Sequence, residues 1–333
     1  MNEPHFWRVT DRKSRYSAPM TRLLLTPLAL AYSHAGKRRI ERGTPQDARL
    51  PVICIGNLTL GGAGKTPVSA DVRRRLAARG LRAATLSRGY RGELAGPLKV
   101  EPSTHTAKQV GDEPLMMASG GEAWVSKDRL AGAKAMREAG VQAIVMDDGH
   151  QNPALKKSLS LVVIDAAEPF GNGFVFPKGP LREPVERGLS RADAVVLMGD
   201  GEIPALLAGF AKPILRARLE PLAPLNPGRY VAFAGIGKPD RFFDTLKANE
   251  GVELSEAVPY PDHHPFDESD IRYLMKLASE RDAKLITTDK DHVRLPVEMR
   301  RITQRASVEA RFADGAALEA LLDKALQGRT LSQ

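Results

Sequence analysis

The chain reads as an α/β protein of the P-loop NTPase type, a doubly wound, mostly parallel sheet with a second, smaller α/β domain. Three observations predict this. Short apolar runs alternate with helix-patterned stretches through the middle of the 333 residues, the pattern of strands and crossover helices in a parallel sheet. The stretch GNLTLGGAGKTPV at 56–68 sets a glycine-rich turn between an apolar run and a helix. The composition shifts near 220–229, where PLAPLNPGR carries three prolines and a glycine, and the alternation then resumes.

Residues 1–40 form a basic and apolar segment. Its apolar run, LLLTPLALAY at 23–32, is interrupted by Pro27. It is too short to cross a bilayer, which takes about 20 apolar residues. Arg8, Arg12, Lys13, Arg15 and Arg22 precede the run, Lys37, Arg38 and Arg39 follow it, and Phe6 and Trp7 stand at its far end. Such a mixture suits a segment lying on an anionic membrane surface, and equally a helix packed on the protein's own core.

The core domain is expected over 41–212. PVICI (51–55) reads as a buried strand, Lys65 to Arg79 as a helix closed by Gly80, and LRAATL (81–86) as the next strand. A helix starts at Ser126 and runs through Ala139, with Gly140 closing it. QAIVMDD (142–148), LSLVVID (159–165) and ADAVVLM (192–198) are further strands. In such a sheet the ligand belongs at the carboxyl ends of the strands. ILRARLE (214–220) and SVEARF (307–312), within 213–221 and 305–312, read as strands joining the two domains. The smaller domain, 222–304, holds VAFAGI (231–236), a helix from Pro239 to Ala248, a strand near Val252–Val258, a helix from Asp267 to Arg281 and a strand at AKLITT (283–288). A helix and tail over 313–333 complete the chain.

Hydrophobic content of 42% and charged content of 27% fit a soluble globular protein with a sizeable core. The single cysteine, Cys54, excludes an internal disulfide framework and a cysteine zinc site, and points to a reducing compartment. The net charge of +9 favours an anionic partner: nucleic acid, an anionic membrane or a phosphorylated substrate.

In the loop, Thr59 stands where a phosphate loop usually has its first glycine. Backbone donors do the cradling, so glycine is needed only where φ is positive or a phosphate comes close. The loop residues Thr59, Leu60, Gly61, Gly62, Ala63, Gly64, Lys65 and Thr66 are therefore the nucleotide-binding candidates. Lys65 would reach the β- and γ-phosphates, and the Thr66 hydroxyl would ligate Mg²⁺. Asp147 and Asp148 end the apolar run AIVM. A carboxylate there is costly unless it meets a metal or donors, so this pair is the second candidate for holding Mg²⁺.

Two phosphate-loop classes are disfavoured. TTDKDHV (287–293) is close to a guanine-reading motif, but His292 stands two residues after Lys290 where an aspartate is needed. Leu60 stands where partitioning ATPases carry their signature lysine. A kinase needs a base at the acceptor hydroxyl and cations on the transferring phosphoryl group. GDEP (111–114) supplies Asp112 and Glu113 at a helix start, and PDHHPF (261–266) supplies His263 and His264 in a loop of the second domain. An Asp–His pair across the cleft would take the hydroxyl proton. PKGPLREP (177–184) and SRGYRG (87–92) carry Lys178, Arg182, Arg88 and Arg91 in glycine- and proline-rich loops that suit phosphate clamping.

Taken in order, GNLTLGGAGKT, SRGYRG, GDEP, KDR (127–129), DDGHQN (147–152), PKGPLREP, PDHHPF and TTDKD closely resemble the tetraacyldisaccharide 4′-kinase family of lipid A biosynthesis, over nearly the whole chain. In that family a serine or threonine also replaces the first glycine of the loop. The resemblance implies ATP- and Mg²⁺-dependent phosphorylation of the 4′-hydroxyl of a tetraacylated glucosamine disaccharide 1-phosphate, giving lipid IVA. It implies Asp112 as base with His263 as its partner, and Lys65, Thr66, Asp147 and Asp148 around the phosphates and metal. Glu113 would add to the metal site and Arg182 would hold phosphoryl charge. Arg88, Tyr90, Arg129, Gln151 and Glu183 would face the substrate. The resemblance also implies a peripheral enzyme on the cytoplasmic face of the inner membrane, bound to its anionic surface through the N-terminal helix. It implies no nucleic-acid partner and names no protein partner. One departure is that His150, Gln151 and Asn152 follow DDG where the family often has an apolar residue, Gln and His. His150 and Asn152 are given no role. The alternatives are a phosphate-loop kinase of another sugar or lipid hydroxyl, and a membrane-associated ATPase switch.

Overall fold

A computed structural model describes residues 3–11 and 13–327. Arg12, the side chain of Arg15 and the tail from 328 onward lie outside the described residues. The chain opens with two short 3-10 turns and a long helix α1 (Pro19–Arg42). There follow β1 (Val52–Gly56), α2 (Lys65–Ala78), β2 (Ala83–Ser87), β3 (Leu98–Lys99), α3 (Ala107–Val110), α4 (Asp112–Ser119), β4 (Ala123–Val125), α5 (Arg129–Glu138), β5 (Ala143–Asp147), β6 (Leu159–Asp165), α6 (Val185–Ser190), β7 (Ala194–Met198) and β8 (Ile214–Pro221). The second part has β9 (Gly228–Ala234), α7 (Pro239–Lys247), β10 (Val252–Pro259), α8 (Glu268–Glu280), β11 (Lys284–Thr288), α9 (Asp289–His292), α10 (Val297–Ile302) and β12 (Thr303–Ala306). It then returns through β13 (Val308–Phe312) to α11 (Gly315–Gln327).

The nine-stranded sheet has the order β13-β8-β7-β6-β1-β5-β2-β4-β3 and is parallel except at its two edge strands, β13 and β3. Its central strands are continuous apolar runs because both faces are covered. Ile53 and Ile55 of β1 pack under α2 and α11 on one face. Val52 and Cys54 pack under α5 on the other. β1 lies between β5 and β6, so the chain leaves β1 where the strand order reverses. Ligands of doubly wound sheets sit in that crevice.

The second sheet, β10-β9-β11-β12, is wholly parallel. Phe243 and Leu246 of α7 cover one face, and Leu274 of α8 with Met299 of α10 cover the other. β8 and β13 pair antiparallel with each other, and β8 also pairs parallel with β7. The two crossings between the sheets are thus built into the edge of the first. Arg75 of α2 and Arg79, which caps it, tie α11 back through Glu319.

Pro27 interrupts the apolar run in sequence but not the helix; α1 runs unbroken over 24 residues. Proline removes one helical hydrogen bond, here from the carbonyl of Leu23, and Leu23 is exposed, so water can take the freed acceptor. Polarity on α1 is inverted relative to an ordinary surface helix. Arg22 is buried against the Phe174 ring, while Met20, Leu23, Leu24 and Leu28 are 59–75% exposed on the opposite stripe. No helix among the described residues is long and apolar enough to cross a membrane.

Candidate active site

The turn after β1 is shaped by its own side chains. Positive φ occurs only at Gly61 (105°) and Gly64 (84°), and Gly64 is the N-cap of α2. Thr59 needs no glycine: it forms an antiparallel bridge with Leu181, and the Leu60 amide donates to the Pro180 carbonyl at 2.7 Å. Buried Asn57 props the turn from beneath, with Nδ2 donating to the Thr59 carbonyl at 2.8 Å. Gly61 and Gly62 are exposed, and a cavity beside them is walled by Glu3, Trp7, Lys238 and Glu168. The free amides at the start of α2 make this an anion cradle, with Lys65 and Thr66 in its first turn.

Two adjacent carboxylates close the site from β5, and their surroundings drive them apart. Asp147 ends the strand fully buried, accepting only the Ser69 hydroxyl at 2.7 Å. Burial, helped by the charge of Glu113 and opposed by Ser69 and Lys65, pushes it up to about 7. Asp148 lies one residue beyond the strand, in the left-handed region at φ 51°. Burial would raise it too, but Lys65 at 3.7 Å and Arg182 at 3.1 Å outweigh this and hold it down at about 2. Arg182 also donates Nε to the Thr59 carbonyl at 3.1 Å, so it is fixed to the loop as well as to Asp148. Among the described residues, no three His, Cys, Asp or Glu side chains form a metal cage. Mg²⁺ asks for none, since it takes one or two carboxylates with substrate phosphates and water. The cradle, the orphaned Oδ1 of Asp148 and the hydroxyl of Thr66 fit that donor set.

Asp112 begins α4 and is buried. Its preceding residue, Gly111, has φ 91°, and a side chain there would run into the Tyr90 carbonyl, so only glycine lets the chain turn into the helix. His263 reaches across from the second sheet, with Nδ1 donating to Asp112 Oδ2 at 2.7 Å. His263 itself has φ 62°, and Tyr90 stands edge-on to its ring at 5.8 Å. Burial raises the Asp112 carboxyl, but the His263 hydrogen bond, Lys290 and Arg294 more than offset it and hold it below the usual range. A second pair of contacts joins the sheets across the cleft: Lys238 and Arg241 meet Asp165 at 2.9 and 2.7 Å.

The remaining candidates fall into two groups. Gln151 donates to Glu183 at 3.1 Å, and Arg191 holds the same carboxylate at 2.6 Å. Glu183 Oε2 is buried without a partner beside a cavity of about 240 Å³, which Arg182 shares with Tyr32, Gly36 and Arg39 of α1. Arg129 is buried, with Nε unpartnered. Burial, with Arg88 nearby, pulls it down to about 10 against the pull of Asp148. Arg88 is exposed beside it, and Tyr90 is exposed. Three residues stand elsewhere. His264 pairs with Asp270 at 2.7 Å, and Asn152 caps a turn at Ala154. Buried His150 donates to the Gly188 carbonyl at 2.9 Å; burial, with Lys157 and Arg191, takes it down to about 4 and keeps it neutral.

Sequence reasoning missed Asn57, Ser69, Lys290 and Arg294. Ser69 lies one helical turn beyond Lys65, on the face that meets β5, which helical spacing signals. Lys290 belongs to TTDKD, a stretch weighed there only for its likeness to a guanine motif and as part of the family pattern.

Fold and loop together define a P-loop NTPase-type protein. Within that class the chain belongs to the tetraacyldisaccharide-1-P 4′-kinase family, whose model matches residues 21–327. It is 55% identical to the tetraacyldisaccharide 4′-kinase of Hyphomonas neptunium over 97% of each chain. It is 50% identical to that of Phenylobacterium zucineum, over 96% of this chain and 98% of the relative. A crystal structure of LpxK from Aquifex aeolicus in complex with ATP superposes with a TM-score of 0.72, covering 92% of this chain and 99% of that one at 24% identity, a likeness of fold.

Asp147 yields a pH test. Below about 7 it carries a proton, and a divalent cation at the loop favours the carboxylate and expels that proton. Calorimetry of Mg²⁺ binding to the ATP-loaded protein near pH 6.5, in buffers of different ionisation enthalpy, should show proton release that shrinks in Asp147→Asn. Equal release from both proteins contradicts the assignment.

Proposed function

We infer that this chain is an ATP-dependent kinase that transfers the γ-phosphoryl group to the 4′-hydroxyl of tetraacyldisaccharide 1-phosphate, giving lipid IVA in lipid A biosynthesis. Family membership over residues 21–327 supports the reaction. The observation that carries the mechanism is the 2.7 Å hydrogen bond between Asp112 and His263, which joins the two sheets at the cleft.

In this reading Asp112 is the general base. Ionised and buried, it accepts the proton of the 4′-hydroxyl as that oxygen attacks the γ-phosphorus and the bond to ADP breaks. His263 holds Oδ2 at 2.7 Å, and Oδ1, which accepts the Glu113 amide at 3.0 Å, keeps a second lone pair for the acceptor hydroxyl. Lys65 and Arg182, both held at the loop by Asp148, offer cations to the phosphoryl charge without having to be gathered from solvent. Thr66, Asp147 and Asp148, with Glu113 near them, would hold Mg²⁺, which neutralises charge on the β- and γ-phosphates. Arg88 and Arg129 add positive potential at the edge of the site. Gln151, Glu183 and Tyr90 line the approach of the sugar, and the free Glu183 Oε2 suits a hydroxyl donor. Closure between the sheets excludes water, the competing acceptor.

The lipid substrate also accounts for α1. Its exposed Met20, Leu23, Leu24 and Leu28 form an apolar stripe with Lys37, Arg38 and Arg39 at one end. We propose that this stripe lies on the anionic cytoplasmic surface of the inner membrane, where the acyl chains of the substrate remain.

With ATP, Mg²⁺ and detergent-dispersed disaccharide 1-phosphate, the pure protein should label the 4′ position. Asp112→Ala should lower kcat by about 10²–10⁴-fold while ATP binding stays close to wild type. Failure of the wild type to phosphorylate the 4′ position would refute the substrate; an unchanged kcat in the variant would remove Asp112 from its role. Replacing Leu23, Leu24 and Leu28 together by aspartate should release the protein from vesicles containing anionic lipid in a sedimentation assay. Undiminished co-sedimentation would count against the membrane contact.

A further inference from the structure

The short helix α9 that follows β11 places one ammonium group among the groups of the base. Lys290, in the first turn of α9, is 19% exposed at its side chain. Its Nζ stands 3.1 Å from His263 Nε2, 3.4 Å from Asp262 Oδ1, 3.7 Å from Glu113 Oε1 and 4.0 Å from Asp112 Oδ2. Four groups from both sheets therefore converge on one cation. The other charges facing it are few. Arg294 Nε lies 3.8 Å from Asp112, but that guanidinium is committed to Asp291 and to the carbonyls of Gly235 and His264. Arg91 donates to the Asp262 carbonyl at 3.5 Å and lies over the Tyr90 ring at 5.8 Å.

An ammonium has donors and no acceptor. At 3.1 Å from Nε2 it must donate, so Nε2 offers its lone pair and carries no proton. The single ring proton is then on Nδ1, where it is donated to Asp112 Oδ2. Asp262 Oδ2 is the other group that faces Nε2, and it favours the opposite arrangement, with a proton on Nε2. At 3.6 Å it is too long for a hydrogen bond, and Lys290 wins the contact.

We propose that Lys290 is a positioning residue of the phosphoryl transfer: its ammonium fixes His263 as the neutral Nδ1–H tautomer and balances the carboxylates gathered around the base. The proposal rests on Asp112 being that base. It also assigns His263 a narrower part. With a cation donating to Nε2, the ring does not collect the substrate proton; it orients Asp112, and the proton stays on the aspartate until product leaves. Because His263 and Lys290 both come from the second sheet and Asp112 from the first, the second sheet sets the tautomer and presents Nδ1–H to Asp112 across the cleft.

Lys290→Met keeps the aliphatic stem and removes the donor. It should lower kcat about 10–100-fold, the loss typical of an outer partner that sets an imidazole tautomer, with KM for ATP and for the disaccharide within about twofold. Lys290→Arg, which keeps a donor-only cation, should recover most of the loss. In ¹⁵N NMR of the ring, the wild type should show an acceptor-type Nε2 and a protonated Nδ1 for His263, assigned by loss of the signals in His263→Asn. Lys290→Met should lose that pattern and Lys290→Arg should keep it. Wild-type kcat in Lys290→Met overturns the proposal, and so does a loss of kcat with the ¹⁵N pattern unchanged. Should Lys290→Met not fold, the wild-type and Lys290→Arg spectra decide, and a proton on Nε2 in either overturns it. If Asp112→Ala were fully active, the choice of base would fail; if Asp112→Ala were inactive and Lys290→Met normal, only the role of Lys290 would fail.

Discussion

A buried carboxylate held ionised by the opposite sheet is the constraint around which the molecule is arranged. Asp112 sits at the start of a helix of the first sheet, and His263, Lys290 and Arg294 all come from the second. Stripping one partner from a buried ionic pair costs about 3–5 kcal/mol, because the other charge is left without water or a partner. The two sheets therefore have a reason to meet, and the reason is at the cleft. Their geometry allows it. β9, β10 and β11 end on Ala234, Pro259 and Thr288, and the segments that follow carry Lys238, His263 and Lys290. In the first sheet β1, β5 and β6 likewise end on the phosphate loop, Asp147 and Asp165. Carboxyl edge faces carboxyl edge, and the His263 hydrogen bond and the nearby cations at Asp112, with the ion pairs at Asp165, bridge the gap.

On the phosphate side the same physics runs with signs exchanged. Two cations are hard to keep close together in a partly buried site. Asp148 does this for Lys65 and Arg182, which is why it stays ionised down to about 2. Asp147, its neighbour in sequence, faces a serine instead of a cation and rises to about 7. One residue of displacement, with the left-handed turn at Asp148, separates the two environments. Arg182 links both halves of this arrangement. Its backbone amide donates to the Leu58 carbonyl, its side chain meets Thr59 and Asp148, and it borders the cavity under α1.

Much of this was legible in the sequence because it is local. The strand, the loop and the first turn of the helix between 51 and 79 follow from apolar run, glycine and Gly-Lys-Thr, and the two aspartates from their place at a strand end. Thr59 looked like a missing glycine because the loop pattern does not say which positions need positive φ; only Gly61 and Gly64 do. What was not legible depends on tertiary context. Pro27 interrupts an apolar run in sequence, but on an exposed turn of α1 its cost falls on a carbonyl that water can serve. Arg22 reads as a flanking charge and is buried against an aromatic ring from a distant loop. Lys290 is one residue in a short polar stretch, and nothing near it in sequence says that Glu113, Asp262 and His263 will surround it.

Whether Asp112 and His263 act as one unit across the cleft is decided by a double-mutant cycle on kcat. Asp112→Asn, His263→Asn and the double variant would be compared with wild type under saturating ATP and disaccharide. Residues acting as a unit are strongly non-additive. The double variant should be about as slow as the slower single one. If the two losses instead multiply, Asp112 and His263 contribute independently, and the cross-sheet pair is a structural contact and not the working base.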